Sequence, residues 1–190
     1  AMKAKVEGVG PKIMGVDVAE SEEGDDTVFT LRQGRKVIPQ KRIHGKGTME
    51  VVALAARAIE EWEPDFVNVD AGGIGSGVAD RLIELNYPVT RILFGERAVQ
   101  MDLYGLRRDE MVGEVVKWLQ DEVELPDDEA LKADVCGPLK DEDSSLRFKV
   151  ETGKAMKKRG LKSPDGLMSL ALTFAVPVSK VAKNLRRSAA

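Results

Sequence analysis

Three aspartates stand where their side chains could do metal or acid–base chemistry. Asp17 lies near the end of the apolar run KIMGVDV, Asp70 closes a second apolar run, DFVNVD, and Asp165 follows a Ser-Pro pair. A Ser-Pro pair is typical of a helix start, so Asp165 is predicted in the first turn of a helix. Taken singly, each aspartate has an ordinary structural explanation, as a strand end, a turn residue or a partner of the helix dipole.

Together, the three aspartates point to a divalent cation. Acids at the ends of neighbouring strands and at a helix start can converge at the carboxyl edge of a sheet. Carboxylates bind hard cations such as Mg²⁺ or Mn²⁺, and two such ions can support hydrolysis of a phosphodiester. The chain has one His and one Cys, which excludes a His-rich metal site, a Cys-based zinc cluster and a disulfide framework.

The elements that must position these acids follow an α/β order. Apolar runs predict strands over 12–18, 27–31, 36–44, 65–70 and 89–94, and helices are predicted over 48–61, 76–86 and 108–122 and after Ser163. A hairpin is expected from 132–135 and 146–150. Short connections between the first three strands favour an antiparallel meander. The predicted fold is α/β: a mixed central sheet, with an antiparallel meander and then parallel strands, flanked by helices.

Charge is divided unevenly along the chain. Its 190 residues include 29 basic and 32 acidic side chains, a formal net charge of −3, which at first argues against a nucleic-acid partner. Residues 109–143, however, hold 3 basic and 13 acidic residues, whereas 147–190 hold 11 basic and 2 acidic ones. The net charge averages an acidic block against a basic block, so the objection to nucleic acid does not hold.

Glycine-rich segments indicate no nucleotide site. The turn GGIGSG follows Asp70, but its spacing does not fit the GxGxxG dinucleotide fingerprint, and no Walker A pattern occurs in the sequence. No apolar run approaches the length of a membrane span, and no secretory signal opens the chain. We therefore expect a protein of a reducing compartment with no membrane partner.

Three strings resemble motifs of a known family. They are GVDVA with the following GDDTV, then VDAGGIGSGVADRL, and then MKKRGLKSPD. They look like the nuclease domain of the large terminase subunit of tailed double-stranded-DNA bacteriophages, and the resemblance runs from about residue 12 to 175. The second and third strings, in this order and separation, are the more specific signal, because many folds open with a strand that ends in Gly-x-Asp.

The resemblance implies an RNase H-like fold and a metal-dependent endonuclease that cuts concatemeric viral DNA during genome packaging, with Mg²⁺ or Mn²⁺ as cofactor and two ions at the site. Asp17, Asp70 and Asp165 match the family's three acidic metal ligands and are the predicted catalytic residues. Asp26 falls at an acidic position after the first motif. Many members carry a further acid where Met168 stands here, but other members have Met-Ser-Leu at this place and keep the earlier acid, which favours Asp165 as the third ligand.

A basic segment directly precedes Asp165 and is predicted to hold the DNA backbone. It contains Lys154, Lys157, Lys158, Arg159 and Lys162. Cations of this kind bind phosphates without reading sequence, and their binding weakens with salt. The acids Glu151, Asp134 and Asp141–Asp143 are expected to be solvated, and the only histidine, His44, is expected at the surface.

Composition predicts a disordered tag or linker over 1–11 and a basic tail over 177–190. The resemblance places the nuclease domain between them, over 12–176, and also gives the expected partners. The expected partner is double-stranded DNA, joined in a full-length protein by an ATPase domain, the portal and the small terminase subunit. The expected location is the cytoplasm of the infected bacterial host.

Three other functions stay open at this stage. One is another RNase H-like nuclease, such as a junction resolvase or transposase core. A second is a docking module of the packaging motor that has no catalytic activity. The third is an actin-like or sugar-kinase-type ATP-binding half, although its second phosphate loop is not visible in the sequence.

Overall fold

A six-stranded mixed sheet forms the centre of the computed structural model, which describes residues 5–19 and 24–177. Its strands run in the order β3-β2-β1-β5-β6, and β4 also pairs with β2. The strands are β1 Lys12–Asp17, β2 Thr27–Gln33, β3 Lys36–Val37, β4 Lys41–Ile43, β5 Phe66–Asp70 and β6 Val89–Ile92. Strand β1 is antiparallel to β2 and parallel to β5, and β5 is parallel to β6. The predicted mixed sheet is confirmed.

Helices cover both faces of this sheet. They are α1 Thr48–Trp62, α2 Gly75–Glu84, α3 Arg107–Trp118, α4 Glu129–Cys136, α5 Gly153–Lys158 and α6 Asp165–Leu172, and a separate hairpin joins β7 Lys140–Glu142 to β8 Phe148–Val150. Apolar residues of α1 and α2 form one core with β1, β2 and β5. Helices α3, α4 and α6 form a second core on the other face, with β3, β6 and β8.

Alternation along the two central strands decides which side chains meet which helices. In β1, Met14 and Val16 pack into the core with α1 and α2. The intervening Gly15 faces α6, because a Cβ added to it would lie 2.0 Å from the carbonyl oxygen of Ser169. In β5, Asn68 also faces α6, since its amide Nδ2 donates to the Leu172 carbonyl oxygen at 2.8 Å. Residues two positions further along each strand share the same face.

Several details of the predicted elements are wrong. The strand expected over 36–44 is divided into β3 and β4, because Pro39 has no N–H to donate to the sheet. The strand expected over 132–135 is part of α4, whose first turn is capped by Asp128, which accepts from Ala130 N at 2.8 Å. The hairpin partner of β8 is β7, and helix α5 has no counterpart in the prediction.

The expected terminal segments fall only partly within the described residues. From Lys5 onward the predicted linker lies against the domain: Val6 N donates to Glu124 Oε2 at 2.9 Å, and Gln33 Nε2 donates to the Gly10 carbonyl oxygen at 2.9 Å. Residues 1–4, 20–23 and 178–190 lie outside the described residues, and with them all but Pro177 of the predicted basic tail. None of the helices in the described part of the chain combines the length and apolar character that a membrane span requires.

Candidate metal centre

Asp17 and Asp70 end neighbouring parallel strands at one edge of the sheet. Val16 of β1 pairs with Val69 of β5, so the next residue of each strand is an aspartate at the same level. Asp17 lies two residues after Gly15, and Asp70 two residues after Asn68, so both side chains project to the face that α6 covers. The turn after β5 holds Asp70, because Gly72 N donates to Asp70 Oδ1 at 3.1 Å.

Helix α6 brings the third aspartate to this edge. All eight of its residues are buried. Ser169 anchors it to the sheet, with its Oγ 3.0 Å from the Gly15 carbonyl oxygen and 2.9 Å from the Val28 carbonyl oxygen. Asp165 lies four residues before Ser169, on the same side of the helix. The lack of a side chain at Gly15 allows this close approach and thereby places Asp165 above the strand ends.

A backbone group of the β1–β2 connection also contacts Asp165. Asp26 N donates to Asp165 Oδ2 at 2.8 Å, and Asp26 Oδ1 lies 3.1 Å from Nδ1 of His44. His44 is 63% exposed, in agreement with its expected surface position. Asp25, which directly precedes Asp26, forms an ion pair with Lys157 of α5 at 2.6 Å. These contacts link the β1–β2 connection to α5 and α6.

The three predicted acids share one cleft of about 430 Å³. Its acidic lining consists of Asp17, Asp25, Asp26, Asp70, Glu151 and Asp165, and its basic lining consists of Arg108, Lys154 and Lys157. Met168 lines the cleft at the position where a further acid could have stood. Asp17, Asp70 and Asp165 thus all line the same cleft.

Burial in the cleft disfavours the charged forms of Asp17 and Asp165. Burial raises the pKa of Asp17 well above its ordinary value, and the charges of Asp165 and Asp70 raise it further. Burial also raises the pKa of Asp165 from 3.8 to about 6, although the hydrogen bond from Asp26 N opposes the shift. Acids whose charged forms are disfavoured by burial and by one another are groups that a divalent cation would stabilise.

The donor chemistry fits Mg²⁺ or Mn²⁺, since the acids offer only carboxylate oxygens. Within residues 5–19 and 24–177, no three His, Cys, Asp or Glu side chains are close enough to form a complete metal-binding group as they stand. Asp17, Asp70 and Asp165 thus supply suitable ligands in a common cleft, and the structure does not show them gathered around one point.

The predicted DNA-binding residues have different surroundings. Lys154 is exposed and lines the cleft, Lys158 is exposed beside it, and Lys162 lines an adjoining cavity of about 350 Å³. Lys157 is paired with Asp25. Arg159 binds Glu151, with its Nε 2.8 Å from Glu151 Oε1, and also donates to the Gly137 carbonyl oxygen. In the described structure, Lys154, Lys158 and Lys162 form no ion pair, whereas Lys157 and Arg159 do.

Sequence reasoning missed one buried acid next to the cleft. Asp134 was expected to be solvated, but it is only 8% exposed and accepts hydrogen bonds from Arg42 Nη2 and Gly166 N, each at 2.8 Å. Burial raises the pKa of Asp134, and the hydrogen bond from Arg42 opposes the shift. No local pattern marks this residue, because both partners are distant in sequence.

Solved structures identify the class of fold. The nuclease domain of the large terminase subunit gp2 of bacterial virus Sf6 matches with a TM-score of 0.77 at 16% identity, over 90% of each chain. The large terminase nuclease of thermophilic phage G20c, with bound magnesium, matches with a TM-score of 0.66 at 17% identity, over 87% of this chain and 80% of that one. The fold is therefore that of phage large terminase nuclease domains, which is RNase H-like.

A third phage domain has the same fold. The large terminase nuclease domain of Thermus phage P74-26 gives a TM-score of 0.63 at 16% identity, over 92% of this chain and 85% of that one. No protein-family model matches the chain, and no significant match occurs among curated proteins. At this level of identity the likeness establishes the fold, and the role of each residue must be argued from the chain itself.

Proposed function

We propose that the chain is a divalent-metal-dependent endonuclease that cuts double-stranded concatemers of viral DNA during genome packaging. The observation that carries this proposal is the single cleft that Asp17, Asp70 and Asp165 share, at the carboxyl edge of a terminase-nuclease fold. The solved relatives support a metal cofactor, because the G20c nuclease was solved with magnesium and with cobalt, and a variant of the Sf6 domain with manganese.

Each acid has a proposed role that follows from its position. Asp17 and Asp70, on adjacent strand ends, would hold or bridge two Mg²⁺ or Mn²⁺ ions, and Asp165 would complete the site from α6. Such ions, when bound, supply an activated water and neutralise charge on the departing 3′ oxygen. Asp26 N would keep Asp165 oriented through its hydrogen bond to Oδ2.

The setting of this activity also belongs to the proposal. In a full-length protein we place the nuclease beside a packaging ATPase domain, with the portal and the small terminase subunit as partners. The proposed place of action is the cytoplasm of an infected bacterium. Fold similarity to phage terminase nucleases supports this setting.

A plasmid-cleavage assay tests the proposed activity. We expect the chain to convert supercoiled plasmid to nicked and linear forms in Mg²⁺ or Mn²⁺, and to leave it intact in EDTA, because the carboxylates need the ions. Cleavage that persists in EDTA would contradict metal dependence. Cleavage of four-way junctions alone would indicate a resolvase, and absent cleavage with intact binding to the portal or small subunit would indicate a docking module.

For the DNA interface, we propose that Lys154, Lys158 and Lys162 hold the phosphate backbone as it passes the cleft, and that Lys157 and Arg159 assist when they exchange their acidic partners for phosphate. The first three are exposed cations next to the cleft. A contact between a cation and a phosphate releases counterions, so each one contributes to the salt dependence of binding.

Replacement of one cleft lysine should measurably reduce the salt dependence of DNA binding. For Lys154→Ala we expect weaker binding of a labelled DNA duplex in EDTA, and a slope of log affinity against log salt that is smaller in magnitude by about 1. Fluorescence anisotropy from low to moderate salt measures both. Lys132→Ala is the control, because Lys132 is an exposed lysine of α4 that pairs with Glu129. Equal slopes for wild type and Lys154→Ala would remove Lys154 from the interface.

A further inference from the structure

The first turn of α6, which carries Asp165, is held by side chains from other elements. Gly166, the next residue, donates its N–H to Asp134 Oδ2 at 2.8 Å. Its carbonyl oxygen accepts from Nε2 of Gln40 at 2.9 Å. The N–H and the carbonyl oxygen of Gly166 are therefore both hydrogen-bonded to side chains that lie outside α6.

Arg42 connects these supports. Its Nη2 donates to the same Asp134 Oδ2 at 2.8 Å and to Gln40 Oε1 at 3.0 Å. Its Nη1 lies 4.0 Å from Asp26 Oδ2, and Asp26 N is the group that donates to Asp165. Arg42 thus contacts the residues that bind the helix start and the residue that binds the Asp165 carboxylate.

Packing around this contact leaves little freedom. The side chains of Arg42 and Asp134 are 21% and 11% exposed. A Cβ added to Gly166 would lie 2.2 Å from Arg42 Nη2 and 2.7 Å from Asp134 Oδ2. The ion pair is therefore pressed against the backbone of the helix start, and a shift of either partner would be transmitted to Asp165.

We infer that the ion pair between Arg42 and Asp134 positions Asp165 for metal binding. Arg42 and Asp134 are positioning residues, because they contact the backbone next to Asp165 and the residue that hydrogen-bonds its carboxylate. As far as metal binding is concerned, the inference rests on the proposed function. Partners of this kind outside the ligand set orient metal ligands, and their loss typically weakens metal binding.

The first measurement needs no metal. Amide hydrogen exchange of the metal-free chain is compared for wild type, Arg42→Met and Asp134→Ala, with attention to the Asp26 amide. The Gly166 amide is expected to lose protection in Asp134→Ala whether or not the inference holds, because the substitution removes its hydrogen-bond acceptor. The informative amide is that of Asp26, because its N–H donates to Asp165 Oδ2. We expect it to exchange faster in both variants, and unchanged protection would overturn the inference.

The second measurement is Mn²⁺ binding by calorimetry. We expect Arg42→Met and Asp134→Ala to bind Mn²⁺ about tenfold more weakly than wild type. Asp134→Asn retains an oxygen acceptor for Gly166 N and should recover most of the affinity and the Asp26 protection. Val52→Ala, a core change in α1, is the stability control and should leave Mn²⁺ affinity unchanged.

The two proposals can fail separately. If Arg42→Met and Asp134→Ala both bind Mn²⁺ with wild-type affinity, the inference is overturned and the nuclease proposal stays intact. If wild type does not bind Mn²⁺, the proposal that the cleft binds a divalent metal is overturned. The exchange rate of the Asp26 amide then still decides whether the ion pair between Arg42 and Asp134 positions Asp165. If Arg42→Met and Asp134→Ala do not fold, Arg42→Lys decides, because a lysine keeps the charge but lacks the planar group that contacts Asp134, Gln40 and Asp26. Faster Asp26 exchange and weaker Mn²⁺ binding in Arg42→Lys support the inference, and wild-type values of both overturn it.

Discussion

Asp17→Asn is expected to reduce Mn²⁺-dependent plasmid cleavage by about three orders of magnitude, which corresponds to a loss of ~4 kcal/mol of transition-state stabilisation. Asp17 occupies the centre of the proposed site, because it stands beside Asp70 on the neighbouring strand and close enough to Asp165 for the two charges to interact. An amide in its place keeps the size of the side chain and removes the negative charge that would hold the ions.

The fold should survive this change, since a neutral side chain relieves the repulsion among the cleft acids. Cleavage is measured over a range of Mn²⁺ concentrations, and folding is checked by circular dichroism and thermal unfolding. Asp80→Asn is the matched control, because Asp80 is an exposed acid of α2 that pairs with Arg91. Undiminished cleavage by folded Asp17→Asn would exclude Asp17 from the metal site.

The elements that carry Asp17 and Asp70 could be predicted because their sequences leave few alternatives. Each is a short apolar run that ends in an acid, and both runs are buried central strands. A single buried acid is costly, so its place at a strand end follows from local chemistry. Adjacency of the two strands was expected from the α/β order, and the register between Val16 and Val69 provides it.

The supports of Asp165 could not be predicted in the same way. Asp134 binds Gly166 across 32 residues and Arg42 across 92 residues. These contacts arise when α4 packs beside α6 and β4, and the sequence around Asp134 resembles that of an ordinary polar strand or helix. The short helices α4 and α5 depend on the same tertiary packing, since helices of this length are marginal in isolation.

For the basic segment, the residue types predicted a phosphate-binding surface, but the sequence did not show which of its cations form ion pairs. Five cations before Asp165 predicted a phosphate-binding surface, and the segment does border the cleft. Two of them, Lys157 and Arg159, are bound to Asp25 and Glu151. Which cations stay free for DNA depends on acids that approach from other elements, and charge counts along the chain cannot show this.

Asp165→Asn is expected to stabilise the metal-free protein at pH 8. The pKa of Asp165 rises from 3.8 to about 6 on folding, so the folded state holds the proton more tightly than the unfolded state. Its contribution to stability is therefore favourable at low pH, declines as the pH rises through about 4 to 6, and is a full penalty above that range. The shift corresponds to at most about 3 kcal/mol, or up to roughly 10 °C in Tm for a chain of this size.

Bound Mn²⁺ should instead make wild type more stable than Asp165→Asn. Mn²⁺ binds the folded state and stabilises wild type by mass action, and Asp165→Asn, which lacks a ligand charge, should gain much less. Thermal unfolding at pH 5 and pH 8, with EDTA and with Mn²⁺, measures both effects. In EDTA the advantage of the variant should be larger at pH 8 than at pH 5, because wild-type Asp165 is largely protonated at pH 5. An Asp165→Asn protein that is less stable than wild type in EDTA at pH 8, yet equally stabilised by Mn²⁺, would show that Asp165 supports the fold and is not a metal ligand.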